Sequence, residues 1–259
     1  MPPFSPDCAI YRVPGRFRNE NEQHYKPRVV PIGPYHSHDG SFPQIIYILK
    51  LIKIQSYKLK YVEAFTNRNE QVRQNQLRFI DQCLGFVRRC EPRARSYYVE
   101  PIDHLSSNDF AELMLVDEIF VLELMLRHQF AQYIDDGNRI YHKPRMIADV
   151  FLDVVLLIEN QIPLFLLEGL YDLVDSSYKG NLSFFVDLTH EFLSGYVRID
   201  EFRADHAPVP QVNHGVKHFV DFIRYYYLPP SVVKGENPNS HPRFEEIPPT
   251  VTMLDDAGV

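Results

Sequence analysis

The stretch Asp149-Val-Phe-Leu-Asp153-Val-Val-Leu-Leu-Ile-Glu159-Asn160-Gln161-Ile162-Pro163-Leu-Phe-Leu-Leu-Glu168 is the most apolar part of the chain, with four carboxylates and one Asn-Gln pair set into it. Its apolar run, Val154 to Leu167, is interrupted by Glu159, Asn160 and Gln161. A membrane-spanning helix needs about 20 predominantly apolar residues, so the stretch reads as buried helix. After Pro144 the pattern predicts a helix to about Gln161. Pro163 ends it, or starts a second helix at its first turn, and that second piece reaches about Val174. Two buried helices joined at a proline make a hairpin or kink at the centre of the fold.

The rest of the chain is organised around that centre. It has 259 residues, 45% of them hydrophobic, and a net charge of −7. This acidic balance excludes nucleic acid as a main partner, because phosphate neutralisation needs clustered Lys and Arg. Nor is there a polybasic patch for a membrane surface. The N-terminus, Met1-Pro-Pro-Phe-Ser-Pro-Asp-Cys8, is Pro-rich coil without a signal-peptide pattern, and the chain as it stands reads as soluble. Cys8, Cys83 and Cys90 are odd in number and make no disulfide framework. On one helix Cys83 and Cys90 would lie about 10 Å apart, so they read as buried free thiols.

Residues 9–43 carry Pro14, Pro27, Pro31, Pro34 and Pro43, which forbid a long helix. Arg12, Arg16, Arg18, Lys26 and Arg28 alternate there with Ile10, Tyr11, Val13, Phe17 and Tyr25, so an irregular, apolar coil packs over something. Its arginines either meet the carboxylates of the apolar helices or are solvated. Helices are predicted over 44–66 and 70–90. Lys50, Lys53, Lys58 and Lys60 read as a solvated face of the first. Pro92 closes the second, with Arg88 and Arg89 near its C-terminal end. Asp109 followed by Glu112 starts a helix over 110–128 that is apolar almost all round and sits inside a bundle. Further helices are predicted over 182–197 and 214–228. The chain reads as all-α: coil over 1–8, a helical domain over 9–230, and a Pro-rich linker or tail over 231–259.

Asp117, Glu118, Glu123, Asp149, Asp153 and Glu159 lie in the apolar helices. Asp149 and Asp153 are four apart and share a face, a spacing compatible with metal binding or acid–base work. The Glu-x-x-His partners of a di-metal bundle are missing, so the acids read as anchors for Arg or backbone groups where helices meet. His36/His38 and His214/His218 have metal-compatible spacing but read as hydrogen-bonded or exposed. Gly33 and Gly40 frame neither a P-loop nor a dinucleotide fingerprint. Asn181-Leu-Ser183 is a glycosylation sequon that matters only in the secretory pathway. No catalytic, metal or cofactor constellation is read from the residues.

Several blocks in order resemble the plant "domain of unknown function 247" family. They are Ile10-Tyr-Arg12-Val-Pro14, Tyr25-x-Pro27, Ile32-Gly-Pro-Tyr-His36, Lys58-Leu-Lys-Tyr-Val-Glu-Ala-Phe65, Glu112 to Leu124, Leu156 to Phe165, and Ile247 to Val259. The resemblance implies a mostly helical plant protein with no defining enzymatic activity or cofactor. It implies a membrane-spanning helix after a further C-terminal region that this chain lacks, and hence membrane association, at the plasma membrane, in full-length relatives. It marks Arg12, Asp117, Glu123, Asp153, Glu159, Asn160, Gln161 and Pro163 as structural motif residues. Two departures stand out besides the short C-terminus. Ile45 to Ile54 is unusually apolar, and five residues instead of four separate Asp153 from Glu159. One extra helical residue turns every later side chain of the helix by about 100°, which leaves open whether Asp149 or Asp153 faces the N-terminal arginines.

The expected function is a non-enzymatic recognition or signalling role through protein–protein contacts. The alternatives are an enzyme using groups such as Asp153, Glu159, His36 and His218, or a truncated fragment without function of its own. The expected core is Leu115, Ile119, Leu122, Leu156, Leu157, Phe165, Leu166, Phe185, Phe219 and Ile223.

Overall fold

The computed structural model of the protein describes residues 8–19, 22–37, 44–67, 76–174, 184–197 and 215–227, with backbone only at 44–53, 76, 226 and 227. The chain divides into two units, Met1–Tyr227 and Leu228–Val259, and every described residue lies in the first. Among the described residues eight α-helices run in order: α1 (Gly15–Arg18), α2 (Gln44–Asn67), α3 (Gln76–Ser96), α4 (Ser107–Gln129), α5 (Pro144–Phe151), α6 (Leu164–Leu173), α7 (Phe185–Ser194) and α8 (Phe219–Tyr227). Those residues hold no strand, only one parallel bridge between Ile10 and Tyr98. The fold is all-α. No described helix is long and apolar enough to cross a membrane.

The axis is α4, which packs against α2, α3, α6 and α7. Residues buried on all its faces, including Phe110, Met114, Ile119, Phe120 and Leu124, are what an interior helix requires. It starts earlier than predicted. Ser106, not Asp109, is the N-cap: its hydroxyl accepts from the Asp109 N–H at 3.2 Å and donates to the Asp109 carboxylate at 2.7 Å. Asp109, the third helical residue, thus orients the capping hydroxyl.

Pro92 does not close α3, which continues to Ser96. Pro92 and Arg88, four residues before it, both lie on the exposed side, where water replaces the hydrogen bond that proline cannot make. Arg93 and Arg95, rather than Arg88 and Arg89, occupy the last turn. The extension brings Arg95 onto the Ile102 and Leu105 carbonyls at 2.7 and 3.0 Å, which folds the loop back toward α4.

The helix after Pro144 also departs from expectation. It does not reach Gln161. The α-helical part ends at Phe151, a π turn continues over Leu152–Leu156, and residues 157–163 form an irregular joint before α6. A π turn accommodates one residue more than an α turn, and it falls where the chain carries one residue more than the pattern it resembles. The shift of phase corrects one core assignment: Leu156 is 42% exposed, with Leu152 and Ile158 beside it at 39% and 43%. Of the other expected core residues, Leu115, Ile119, Leu122, Leu166, Phe185 and Phe219 are buried, while Leu157, Phe165 and Ile223 are half-buried.

The last two helices are shorter than their apolar patterns. The predicted start of α7 at residue 182 and of α8 at 214 lie outside the described residues, and α8 begins at Phe219. His218 sets that start, since its Nδ1 accepts from the Asp221 N–H at 3.3 Å while the Asp221 carboxylate accepts from the Lys217 N–H at 2.9 Å. The segment is tied to the centre by the Leu164 N–H, which donates to the Lys217 carbonyl at 2.9 Å.

Truncating Ile119 to Ala is expected to cost about 2–5 kcal/mol in chemical denaturation, as for a fully buried aliphatic residue. Leu156→Ala is expected to stay within about 1 kcal/mol; equal costs would contradict the phase shift at the π turn.

Candidate functional site

Residues 28–33 cross the helices as irregular backbone, bent at Arg28, Val29 and Gly33, before a 3-10 turn at Pro34–His36, and find no strand to pair with. Irregular backbone under cover must still satisfy its N–H groups. Side chains from α4, the π turn and the joint before α6 do so. Asp153, in the π turn, accepts from the N–H groups of Arg28, Val29 and Val30 at 2.9, 2.6 and 2.9 Å. Pro31 has no N–H to satisfy. Asn160 accepts from the Ile32 N–H at 2.8 Å, and Asp117 on α4 accepts from the Gly33 N–H at 2.9 Å. Every backbone N–H between residues 28 and 33 therefore ends on a side-chain oxygen.

Asn160 does more than accept. Its amide nitrogen donates to the Val30 carbonyl at 3.0 Å and to the Asp153 carbonyl at 2.9 Å. Accepting from residue 32 while donating to residue 30, the amide takes the place that the peptide of a neighbouring strand would occupy. Gln161 turns the other way. Its amide nitrogen meets the carbonyls of Val154 and Leu157 at 3.0 and 2.9 Å, at the end of the π turn, where the Leu157 carbonyl also accepts from the Asn160 N–H at 3.0 Å. Pro163 then stands as the N-cap of α6.

Glu159 holds the earlier part of the N-terminal coil. Its carboxylate accepts from the Val13 N–H at 2.7 Å and from the Arg18 guanidinium at 3.0 Å, and Arg12 approaches to 4.0 Å. Arg12 also pairs with Glu100 at 2.6 Å, donates to the Tyr35 carbonyl at 3.2 Å and lies over the Tyr35 ring. The open choice between Asp149 and Asp153 is thereby resolved. Asp153 is buried and binds backbone, whereas the half-buried Asp149 meets the exposed Arg28 guanidinium at 3.4 Å.

Lys58 does not lie on the solvated face that the sequence suggests. It is 3% exposed and its ammonium pairs with Asp117 and donates to the Pro31 carbonyl at 2.6 Å. Burial pushes the Asp117 carboxyl above its usual range, while Lys58 and the Gly33 N–H pull it back. A signal for Lys58 is present in the sequence. It falls at i+4 from Ile54, and Tyr61 and Phe65 come at i+7 and i+11, so it lies in the apolar stripe. Lys60 is exposed, and the side chains of Lys50 and Lys53 lie outside the described residues.

Glu123 belongs to a second cluster. It accepts from the buried Arg127 at 2.7 Å, which also reaches Asp135 at 3.0 Å and lies over the Tyr61 ring. His36 is buried, with Nε2 at 3.9 Å from Glu159. His218 bonds the Ala9 carbonyl at 3.1 Å and caps α8. His38, His214 and the Asn181 sequon lie outside the described residues. Cys8, Cys83 and Cys90 are free thiols, and burial pushes the Cys83 thiol up to about 12. Among the described residues no group of three His, Cys, Asp or Glu is placed to hold a metal ion. A cavity of about 310 Å³ is lined by Pro31, Gly33, Ser37, Gln55, Lys58 and Asp117; the acid and base on its wall are already paired with each other.

The residue that this geometry makes least replaceable besides the acids is Gly33. It has φ +68°, and a Cβ there would lie 2.7 Å from the Gln161 carbonyl oxygen. Asp153→Ala leaves three N–H groups without their acceptor and is expected to cost about 3 kcal/mol or more. Asp149→Ala is expected to cost under about 1 kcal/mol, as for a surface ion pair. Urea unfolding midpoints of the two variants check the assignment, and similar losses would contradict it.

Known proteins share this sequence pattern. The chain is 28% identical over 233 residues to the UPF0481 protein At3g47200 of Arabidopsis thaliana, covering 86% of this chain and 42% of that protein. It is 25% identical over 232 residues to the putative UPF0481 protein At3g02645 of the same plant, covering 88% of this chain and 39% of that protein. The chain thus spans about two fifths of the length of these curated relatives. No solved structure matches it. The family described as plant protein of unknown function, DUF247, matches residues 10–259, and the chain belongs to that family.

Proposed function

We propose that this chain is a non-enzymatic recognition module that acts through protein–protein contacts. One observation carries the reading: five acids and amides set into or between the apolar helices bind backbone groups, and two of them also pair with Lys58 or Arg18. Asp117, Asp153 and Asn160 hold residues 28–33, Glu159 holds Val13 and Arg18, and Gln161 holds helix-end carbonyls. A general acid or base needs a carboxylate within reach of substrate, and these oxygens reach main chain instead. Chemistry of this kind produces a rigid scaffold, and function then lives on the surface that the scaffold presents. In a longer protein such a module would stand at a membrane, as the family resemblance implies.

The competing reading is an enzyme built on Asp153, Glu159, His36 and His218. His36 lies 3.9 Å from Glu159, Asp153 is taken up by three backbone N–H groups, and His218 is engaged by Ala9 and Asp221. A broad screen of hydrolase, transferase and metal-dependent activities on the purified chain separates the two. The expected result is no turnover above background. Metal-dependent turnover abolished by Asp153→Asn or Asp149→Asn, with the fold retained by circular dichroism, would overturn the proposal.

A further inference from the structure

Glu118 stands apart from the other acids. It is fully buried, and neither of its carboxyl oxygens has a hydrogen-bond partner among the described residues. Buried polar groups are nearly always paired, and an exception calls for a physical explanation. Its charge neighbours are Asp117 on its own helix, Cys83 and Cys90 on α3, and Tyr98 just beyond α3. None of these four is a cation; of the arginines on α3, Arg78, Arg88, Arg89 and Arg93 are exposed and Arg95 is bound to Glu91 and the Ile102 carbonyl. The other helices on α4 bring Lys58, Tyr61 and Glu63 from α2, Glu168, Tyr171 and Asp172 from α6, and Asp187, His190 and Glu191 from α7. None of these acts on Glu118, whose ionisation is opposed by burial first and by Asp117 second. Lys58 is spent on Asp117 and Pro31. A carboxyl in such a place keeps its proton, because an unpaired carboxylate there would have neither water nor a counter-charge.

We infer that Glu118 is a proton-binding site built into the core, whose proton loss loosens the contact between α3 and α4 and, through Asp117, releases the N-terminal coil. The coupling is covalent and short. Asp117 and Glu118 are consecutive on α4, and Asp117 holds the Gly33 N–H and Lys58. The proton leaves to solvent, and the carboxylate that remains must be hydrated. Hydration requires α4 to part from α3, and Asp117 moves with the same turn.

The sign is set by linkage. Burial lifts the Glu118 carboxyl well above the usual carboxylate range. Between the ordinary value and the lifted one, the folded chain holds one proton more than the open chain. Opening therefore becomes easier as pH rises through that window, by up to about tenfold per pH unit. Below the ordinary value both states are protonated and the effect is absent.

Two measurements on the full chain test the inference. Hydrogen exchange of the segment 28–36 is compared between wild type and Glu118→Gln at matched pH, so that intrinsic exchange chemistry cancels. The ratio is expected to lie near one at about pH 4 and to climb toward tenfold per unit above it. A ratio that does not change with pH overturns the inference. Infrared spectroscopy of the wild type in heavy water reads the site directly and needs no variant. The expected result is the carbonyl stretch of a protonated, non-hydrogen-bonded carboxyl at neutral pH, bleaching at alkaline pH together with the rise in exchange. Absence of that band at neutral pH overturns the inference even if Glu118→Gln fails to fold.

Discussion

Irregular main chain laid over helices has N–H groups that neither helix nor sheet will satisfy, and the rest of this structure depends on how that demand is met. Residues 28–33 are held by side chains: three N–H groups by Asp153, one by Asn160 and one by Asp117, with Pro31 filling the position that needs none. The same demand explains why acids sit inside apolar helices. A lone carboxylate in a core is costly, but one that accepts two or three backbone N–H bonds exchanges water for protein donors of similar strength. Glu159, meeting Val13 and Arg18, repeats the solution one step earlier in the coil.

The joint between α5 and α6 is the other half of that arrangement. Three consecutive polar residues divide the work. Glu159 faces the coil, Asn160 serves coil and helix end together, and Gln161 serves the helix end. A regular helix through residue 161 would have put these side chains at about 100° intervals around an axis, and its last carbonyls would have been bonded already. Ending in a π turn frees those carbonyls for Asn160 and Gln161 and aims Asp153 at three successive N–H groups. Of the eight residues that the resemblance marks, Asp117, Asp153, Glu159 and Asn160 hold the N-terminal coil to the helices.

Much of this is legible in the sequence. The apolar runs, their length and their proline punctuation specify α2, α4 and α6 to within a few residues, while the ends of α3 and α5 and the start of α8 lie five or more residues from where the pattern puts them, and the all-round apolar character of 110–128 specifies the interior helix. That the acids anchor Arg or backbone groups is also readable, since no ligand set accompanies them. Other features are hidden for identifiable reasons. Lys58 looks like a surface charge until Asp117, 59 positions away, supplies its partner. Pro92 looks like a helix end until exposure of that side of α3 makes the lost hydrogen bond harmless. Leu156 looks like core until one residue absorbed as a π turn rotates it outward.

What the sequence determined by itself is the class of fold, because hydrophobic periodicity and proline placement are local and act within one helix length. It also determined that Asp117, Asp153, Glu159 and Asn160 are special, because polar groups in apolar runs must find partners. Only the tertiary structure decided which partners. The donors at Val13, Arg28, Val29, Val30, Ile32 and Gly33 lie 84 to 146 positions from their acceptors. A backbone N–H has no side-chain identity that a sequence can display. It was likewise only in three dimensions that Glu118 became distinct from Asp117: the two are neighbours in sequence, and one is surrounded by donors while the other has none among the described residues.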